Sequence, residues 1–331
     1  MGWMVFLGAA CVAAFLFTGV LRGYALKTGM LDVPNARSSH EAPTPRGGGL
    51  SVVVVVLLGL PVLFWGAGLE GSALVALGLG GALVAAIGWL DDHIDVAARW
   101  RLLVHLLAGA WVVFWAGGAP ALPLPGGDWA WGWLGVPILV LFVGWVLNLY
   151  NFMDGIDGIA GVETVTVAGV AAGLLWWVGA PGWALMAALL AVAGVGFLVW
   201  NWPPAKIFMG DAGSGFIGFT LAAMAVLTWA GTDLTIWVWL ILLGVFIVDA
   251  TLTLFRRLLR GERVYEAHRS HAYQQAARAC GRHLPVTVAV GVINLVWLAP
   301  WAWAAVVWPE WGVVMVGVAW APLVGVWVRY Q

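Results

Sequence analysis

The chain has 331 residues, of which 63% are hydrophobic and only 9% are charged, and its formal net charge is −1. A soluble domain of ordinary composition carries about 25% charged residues, whereas the mean hydropathy here is +0.96. These figures exclude a water-soluble globular protein and favour a chain that lies largely within a lipid bilayer.

The apolar residues occur in long uninterrupted runs, which is the pattern that membrane spans require. A helix needs roughly 20 apolar residues to cross the hydrocarbon core, and backbone groups in lipid must be satisfied within the protein. The sequence therefore predicts an all-α, polytopic integral membrane protein with about 11 transmembrane helices. The predicted spans are 3–20, 50–66, 71–90, 102–117, 131–147, 159–178, 183–200, 215–230, 234–254, 284–306 and 311–328.

The basic residues indicate how these spans are oriented. None precedes the first span, whereas Arg22 and Lys27 follow it, so we expect the N-terminus outside and the C-terminus in the cytoplasm. With that orientation all 15 Lys and Arg residues fall in the C-terminal tail or in the inside segments 21–49, 91–101, 148–158, 201–214 and 255–283. The pattern predicts a single transmembrane domain, 1–331, with active-site loops on the cytoplasmic side.

The first polar cluster at a predicted cytoplasmic end follows the third span and comprises Asp91, Asp92 and Asp95. Spacings of three and four residues would place these side chains nearly on one face of a continuing helix. Neighbouring carboxylates repel each other, which favours protonation of one of them and suits a proton acceptor. A solvated helix end or a helix cap is the alternative.

The second cluster ends the fifth span with a polar stripe at three-residue spacing, formed by Asn148, Asn151, Asp154 and Asp157. Amide and carboxylate oxygens are suitable ligands for Mg²⁺. The alternative is an ordinary Asn/Asp/Gly turn, which accounts for the glycines nearby but not for four polar groups in register.

The third cluster is the run 201–215, which contains Asn201, Phe208 and Asp211 in a glycine-rich turn before the next span. A turn of this kind that opens a helix exposes backbone N–H groups, which attract phosphate. It also places Asp211 where a carboxylate can hold a metal ion.

The fourth cluster, in the long basic loop, is His268, Arg269 and His271. Its spacing suits a metal or a phosphate, and we favour phosphate because arginine supplies charge-assisted donors. A loop that meets anionic lipid headgroups would explain the arginines but not the two histidines.

The fifth cluster lies in the early loop, where Pro and Gly residues predict a shaped turn. Arg37, His40 and Arg46 are its candidate phosphate contacts, and a structural linker is the alternative. Outside the clusters, His93 has no assigned role, and His105 is expected to be a satisfied residue of the helix bundle. Asp249, inside the ninth span, either pairs with another helix or lines the site.

The ordered set of motifs resembles the polyprenyl-phosphate N-acetylhexosamine-1-phosphate transferase superfamily, glycosyltransferase family 4. The motifs are Asp91-Asp92, the Asn-Phe-Met-Asp-Gly-Ile-Asp-Gly run 151–158, the Phe-Met-Gly-Asp-Ala-Gly-Ser run 208–214 and the His-Arg-Ser-His run 268–271. The runs 32–40 and 43–48 are more similar to the branch that starts O-antigen or related surface polysaccharides. The peptidoglycan-precursor branch carries Lys where this chain has Asp95, and further histidines where Ala-Tyr follows His271.

The resemblance implies three groups of site residues. Asn151 and Asp211 would be the metal ligands, holding Mg²⁺ or, as a substitute, Mn²⁺. Asp91 or Asp92 would be catalytic, accepting a proton from the lipid phosphate. The implied substrate-binding residues are Asp154, Asp157, Asn201, Phe208, His268, Arg269, His271 and Arg46.

The implied activity is transfer of N-acetylhexosamine-1-phosphate from a UDP-sugar to undecaprenyl phosphate at the cytoplasmic face of the bacterial inner membrane, with release of UMP. This would be the first membrane step of O-antigen or other surface-polysaccharide synthesis, by direct attack or through an aspartyl-phosphate. The implied partners are a UDP-N-acetylhexosamine, undecaprenyl phosphate and membrane lipid, without nucleic acid, and a homodimer is compatible. The alternatives are a phospho-N-acetylmuramoyl-pentapeptide-type transferase, an ion-coupled transporter, whose ligands would lie near the midplane, and a structural scaffold.

Overall fold

The structure, a computed structural model, describes residues 2–34, 43–94, 96–262 and 269–331. Its helices are α1 (Gly2–Thr28), α2 (Leu50–Ala67), α3 (Gly71–Ile94), α4 (Ala98–Trp115), α5 (Gly135–Met153), α6 (Ile159–Trp177), α7 (Pro181–Asn201), α8 (Asp211–Gly231), α9 (Ile236–Leu242), α10 (Gly244–Leu259), α11 (Ala272–Cys280), α12 (Leu284–Val292), α13 (Ala299–Val307) and α14 (Gly312–Arg329). A π-helical segment, Ile293–Leu298, joins α12 to α13. Two short hairpins pair β1 (Leu31–Asp32) with β2 (Thr44–Pro45) and β3 (Leu122–Leu124) with β4 (Gly127–Trp129).

The all-α, polytopic membrane architecture is confirmed. Nine helices or joined helices in the described part of the chain are long and apolar enough to cross a bilayer, and the pair α9 and α10 makes ten if it is counted as one span. This pair, predicted as one continuous span, is bent by 77°. The remaining predicted span corresponds to α4, whose first turn carries Arg99 and Arg101 and which is not among the nine. The count of eleven spans and their orientation stay predictions.

Helix α8 is the centre of the bundle. Its apolar length is enclosed entirely by protein, whereas only 17% of the corresponding part of α1 and 22% of that of α14 are buried. A helix that is apolar all round belongs in such a position. The neighbours of α8 include α2, α3, α4 and α5, and the outer helices leave their apolar faces open, as lipid contact requires.

Glycine allows the helices around α8 to approach at backbone distance. A Cβ atom added to Gly88 of α3 would lie 2.6 Å from the carbonyl oxygen of Asp211, and one added to Gly49 would lie 2.6 Å from the Cα of Gly213. Small residues at helix contacts are the usual means of close packing in membranes. The first turn of α8 is therefore held between α3 and the segment before α2.

The predicted cytoplasmic loops meet at one end of the bundle. The segment before α2 runs along the segment before α8: the Phe208 N–H donates to the Pro45 carbonyl at 2.8 Å and the Gly48 N–H to the Phe208 carbonyl at 2.9 Å. The β3–β4 hairpin lies elsewhere, against the start of α9, where the Trp237 indole N–H donates to the Pro123 carbonyl at 3.0 Å.

Candidate active site

The amino-terminal end of α8 is joined to the end of α3 by Asp92. One carboxylate oxygen of Asp92 accepts the N–H of Asp211 at 3.1 Å and the other accepts the N–H of Ala212 at 3.2 Å. The first N–H groups of a helix have no partner within it, so a buried carboxylate at this point both satisfies them and fixes the helix end. For Asp92 the cap that we considered as an alternative is thus present in the structure.

Asp91 belongs to a different set of contacts, centred on Arg101. The guanidinium of Arg101 pairs with Asp91 and also lies 3.4 Å from the carboxylate of Asp211. The other oxygen of Asp91 accepts the Val96 N–H at 2.7 Å. Asp91 is nearly buried, but the side chains of Arg101 and Asp211 are about one-third exposed, so this arginine bridges two carboxylates at an open face.

Arg46 reaches the same place from the segment before α2. Its guanidinium donates to the backbone carbonyl of Asp92. Gly47, the next residue, lies 3.0 Å from where a side chain on Gly210 would begin, and Gly210 has a φ of 78°. A residue with a Cβ would be strained there in both respects, so glycine is required at the turn that opens α8.

Asn151, near the end of α5, connects with the same turn through Ser214. The Ser214 hydroxyl donates to the Asn151 side-chain oxygen at 3.4 Å and lies 3.2 Å from the Gly210 carbonyl. Asn151, near the end of α5, therefore contacts the first turn of α8. The contact is made by Ser214, which lies three residues after Asp211.

Asp154, directly after α5, adds to a concentration of negative charge. Burial, and then the charges of Asp211, Asp157 and Asp92, raise the pKa of Asp154 well above its ordinary value. Carboxylates that repel one another in this way are stabilised by a cation. Of the predicted stripe, Asp154 and Asp157 thus belong to a group of acids that also contains Asp92 and Asp211.

The structure does not contain a self-sufficient metal centre in its described part, where no three His, Cys, Asp or Glu side chains are arranged to hold an ion. Mg²⁺ in phosphate chemistry commonly binds one or two carboxylates and takes its other ligands from substrate phosphates and water. Asp211 is partly exposed, and Ser214, three residues later, contacts the Asn151 amide, so these residues fit a site of that kind.

Asp157 and Asn201 hold the surrounding loops together. Asp157 accepts the Ala205 N–H at 3.1 Å and lies 3.3 Å from Nδ1 of His283. The side-chain oxygen of Asn201 accepts the Gly158 N–H at 3.0 Å, and its nitrogen donates to the Ile207 carbonyl at 2.9 Å. Asn201 is only 2% exposed, so both of its polar atoms are used inside the protein, and its role is to position the loops rather than to contact substrate.

The late basic loop approaches the site through α11. His271 is buried, with Nδ1 3.3 Å from Asp249, and the Tyr273 hydroxyl donates to the Phe152 carbonyl at 3.0 Å. Arg269 is exposed, and its carbonyl accepts a hydrogen bond from Gln275. Phe208 is half-buried, with its backbone held as described above.

Several predicted residues lie outside the described part of the chain, namely Asp95, Arg37, His40 and His268. Nδ1 of His93 donates to the Trp89 carbonyl, 2.7 Å away. His105 is buried as predicted, but its Nδ1 has no hydrogen-bond partner in the described structure. For Asp249 the structure selects the first of our two alternatives, a pairing with another helix.

Sequence reasoning did not select Arg101, Ser214, His283 or Tyr273. Arg101 was considered only as one of the basic residues that indicate the orientation of the spans. Every arginine in the predicted cytoplasmic segments shares that property. The place of Arg101 in the first turn of α4, ten residues after Asp91, was the signal available. Ser214 and Tyr273 lay within or beside quoted motifs and carried no signal of their own.

The helical bundle and the meeting of acidic and basic side chains at one of its ends define a polytopic membrane protein with a polar site at that end. The profile of "Glycosyl transferase family 4" matches residues 74–229, which include most of these site residues. A Bacillus subtilis (strain 168) protein named "Probable undecaprenyl-phosphate N-acetylglucosaminyl 1-phosphate transferase" is 29% identical over 80% of this chain and 74% of its own length.

Two further relatives are also transferases by name. The Escherichia coli (strain K12) "Undecaprenyl-phosphate alpha-N-acetylglucosaminyl 1-phosphate transferase" is 28% identical over 81% of this chain and 76% of its own. A Geobacillus kaustophilus (strain HTA426) "Phospho-N-acetylmuramoyl-pentapeptide-transferase" is 33% identical over 66% of this chain and 74% of its own. The chain belongs to the polyprenyl-phosphate hexosamine-1-phosphate transferase superfamily, a family of phosphosugar transferases, which confirms the resemblance.

Proposed function

We propose that this enzyme transfers N-acetylglucosamine 1-phosphate from its UDP derivative to undecaprenyl phosphate and releases UMP. The names of the Bacillus and Escherichia relatives support this choice, because their alignments cover 80% and 81% of the chain, whereas that of the pentapeptide transferase covers 66%. The departures at Asp95 and after His271 point the same way.

The observation that carries the proposal is the Arg101 bridge between Asp91 and Asp211 at the start of α8. A guanidinium at an open face, beside a glycine turn, is well suited to bind a diphosphate. The incoming phosphates would compete with both carboxylates for Arg101. Arg46, which donates to the Asp92 carbonyl, supplies a second guanidinium beside the same turn.

Asp211 and Asn151 would hold Mg²⁺. When bound, the ion would neutralise part of the charge on the diphosphate and on the departing UMP. Burial and neighbouring acids raise the pKa of Asp154, so the carboxyl group favours its neutral form, and a bound cation would favour its ionised form. Phe208, half-buried at the same turn, is proposed to contact the uracil, with Asp157 shaping the nucleotide-sugar loop.

Of the acidic pair, Asp91 is the better candidate for the proton acceptor. Both oxygens of Asp92 accept backbone N–H groups of α8, so this carboxylate is committed to positioning. Asp91 shares Arg101 with Asp211, and movement of the guanidinium to the diphosphate would release one oxygen of Asp91. That oxygen could then take the proton of the lipid phosphate.

In the reaction, an oxygen of the lipid phosphate forms a bond to the β-phosphorus, and the bond from that phosphorus to the oxygen bridging to UMP breaks. The electron pair leaves with UMP. Arg101 and Arg46 stabilise the charge that develops on the transferred phosphoryl group and on UMP. His271 and the exposed Arg269 are proposed to contact the sugar-phosphate end.

We further propose that residues 1–331 form one domain of the bacterial inner membrane, with the site on the cytoplasmic face and the N-terminus outside. The distribution of Lys and Arg supports that orientation. The gathering of the polar residues at one end of the bundle disfavours a transporter, whose ligands would lie at mid-depth. The product would begin O-antigen or another surface polysaccharide.

The test is a transfer assay with purified protein in detergent, Mg²⁺, undecaprenyl phosphate and a panel of radiolabelled UDP-N-acetylhexosamines. We expect label in the lipid phase with equal release of UMP, greatest with UDP-N-acetylglucosamine. Asp211→Ala should abolish transfer. Asp128→Ala, in the exposed part of the β3–β4 hairpin, is the matched control and should transfer normally.

Absence of transfer from every sugar nucleotide by folded wild-type protein would refute the proposal. UDP-N-acetylmuramoyl-pentapeptide is included as a further donor, and a preference for it would replace the sugar assignment and retain the reaction class.

A further inference from the structure

Asp249 of α10 is a buried carboxylate that the proposed chemistry does not use. One of its oxygens accepts the Ala272 N–H at 3.0 Å and the Thr253 hydroxyl at 3.1 Å, and lies 3.3 Å from Nδ1 of His271. The other accepts the Tyr273 N–H at 2.9 Å. The residue is 7% exposed, so these protein contacts determine its environment.

These contacts join two helices. The N–H groups of Ala272 and Tyr273 belong to the first turn of α11, where a helix has donors without internal partners and where negative charge is favourable. Because Asp249 belongs to α10, its carboxylate fixes the start of α11 relative to the membrane bundle. It also lies 3.3 Å from Nδ1 of His271 and so fixes the orientation of this ring.

The first turn of α11 also contacts the turn 152–155, which carries Asp154. The Tyr273 hydroxyl donates to the Phe152 carbonyl at 3.0 Å. A Cβ on Gly155 would lie 2.1 Å from that hydroxyl and 2.8 Å from the side-chain nitrogen of Gln274. The turn 152–155 and the start of α11 are therefore packed in direct contact, and displacement of one displaces the other.

The last helix, α14, also contacts the residues around Asp249. The Trp327 indole N–H of α14 donates to the Thr253 hydroxyl at 2.9 Å, and that hydroxyl donates to Asp249. A continuous series of hydrogen bonds thus runs from α14 through Asp249 to Tyr273 and the turn beside Asp154.

We propose that Asp249 is a positioning residue for the sugar nucleotide: it holds His271 and the Asp154 turn in the arrangement that binds the UDP-sugar, without touching substrate. The proposal rests on the proposed function. It predicts that loss of Asp249 weakens binding of the UDP-sugar and not of the lipid phosphate. The reason is that the contacts of Asp249 lead to the His271 and Asp154 side of the site, whereas the lipid phosphate is proposed to bind on the Asp91 side.

The test is a two-substrate kinetic analysis of Asp249→Asn. An Asn amide would present N–H donors where the carboxylate accepts backbone N–H groups, so at least one bond to α11 is lost with little change in volume. We expect KM for the UDP-sugar to rise roughly 10-fold to 100-fold, as for other residues that support a binding group, with KM for the lipid phosphate unchanged. A purely structural defect would instead lower the active fraction and leave both KM values unaltered.

Two further variants complete the test. Tyr273→Phe keeps Asp249 and its backbone hydrogen bonds but removes the hydroxyl that reaches Phe152, so it should also raise KM for the UDP-sugar. If Asp249→Asn does not fold, this variant alone tests the proposal. The double variant should be less than additive, since both act through one series of contacts. Thr251→Val is the control: it lies on the same helix and accepts the Trp145 indole N–H at 3.0 Å, outside the Asp249 cluster, and both KM values should stay at wild type.

An active wild type whose Asp249→Asn and Tyr273→Phe variants keep the wild-type KM for the UDP-sugar would overturn this inference and leave the proposed function intact. An equal rise in both KM values would also overturn it. A wild type that transfers no sugar phosphate would refute the proposed function and this inference with it.

Discussion

Gly88→Ala tests whether the backbone position of Asp211 controls the reaction. The added Cβ would lie 2.6 Å from the Asp211 carbonyl oxygen and 2.7 Å from the Ala212 nitrogen, whereas ordinary contact begins at 3.4 Å. Both neighbours are backbone, so α3 and α8 must separate by about 0.8 Å, which would carry the Asp92 hydrogen bonds of 3.1 and 3.2 Å out of range.

The expected magnitudes for stability and for activity differ. Overpacking costs about 1–3 kcal/mol, and replacing glycine by alanine inside a helix returns about 1 kcal/mol. Without the cost of the two stretched Asp92 hydrogen bonds, the free energy of unfolding should therefore fall by no more than about 2 kcal/mol. A displacement near 1 Å at a reacting site costs on the order of 100-fold in rate. We therefore expect a folded protein with kcat about 100-fold lower.

The assay is the initial rate of UMP release, with thermal unfolding measured on the same preparation. Gly78→Ala is the matched control because it lies on the same helix and its added Cβ would meet nothing closer than Leu60 at 3.9 Å. It should be fully active and slightly more stable. If Gly88→Ala matched Gly78→Ala in rate, close backbone placement of Asp211 would be unnecessary and the reasoning would be wrong.

Three further changes address other contacts. Arg101→Gln removes the guanidinium proposed to meet the diphosphate, and kcat should fall roughly 100-fold in the UMP-release assay. Gly155→Ala would place a Cβ 2.1 Å from the Tyr273 hydroxyl, so KM for the UDP-sugar should rise as α11 is displaced. Thr287→Val removes the 2.7 Å hydrogen bond to the Asp157 carbonyl and should cost about 1 kcal/mol, seen as a lower Tm with kcat retained within a few-fold.

Each change has a matched control. Arg99→Gln removes an exposed charge from the same helix turn and should be neutral; equal rates for the two arginine variants would contradict the role of Arg101. Gly169→Ala has open space around it, so a rise in KM equal to that of Gly155→Ala would contradict the attribution of the effect to the Tyr273 contact. Thr287→Ser keeps the hydroxyl and should keep the Tm.

The sequence was sufficient to predict the all-α membrane architecture and the end of the bundle at which the polar clusters meet. Long apolar runs predict membrane helices because the bilayer imposes a length, and the positions of Lys and Arg selected the loops that the structure brings together. Asp92, Asp154 and Asp211 were found because acids at the ends of spans are costly unless they serve a purpose.

Details that depend on three-dimensional contact were not predictable. The bend between α9 and α10 falls at Leu243 and Gly244, in a stretch as apolar as its neighbours. Glu163, fully buried in α6 and accepting a 2.7 Å hydrogen bond from Asn294, passed unnoticed within a predicted span. Arg101 was missed because its partners are separated from it by 10 and 110 residues in the chain.

The backbone contact at Gly88 has a consequence for how such enzymes diverge. A contact between two backbones contains no side chain that a mutation can replace, so natural selection can only retain or lose this contact. New preferences for sugar or lipid must therefore arise in surfaces away from this contact, such as the segment before α11 that carries the exposed Arg269. The reaction centre would stay constant while the specificity of its descendants drifts around it.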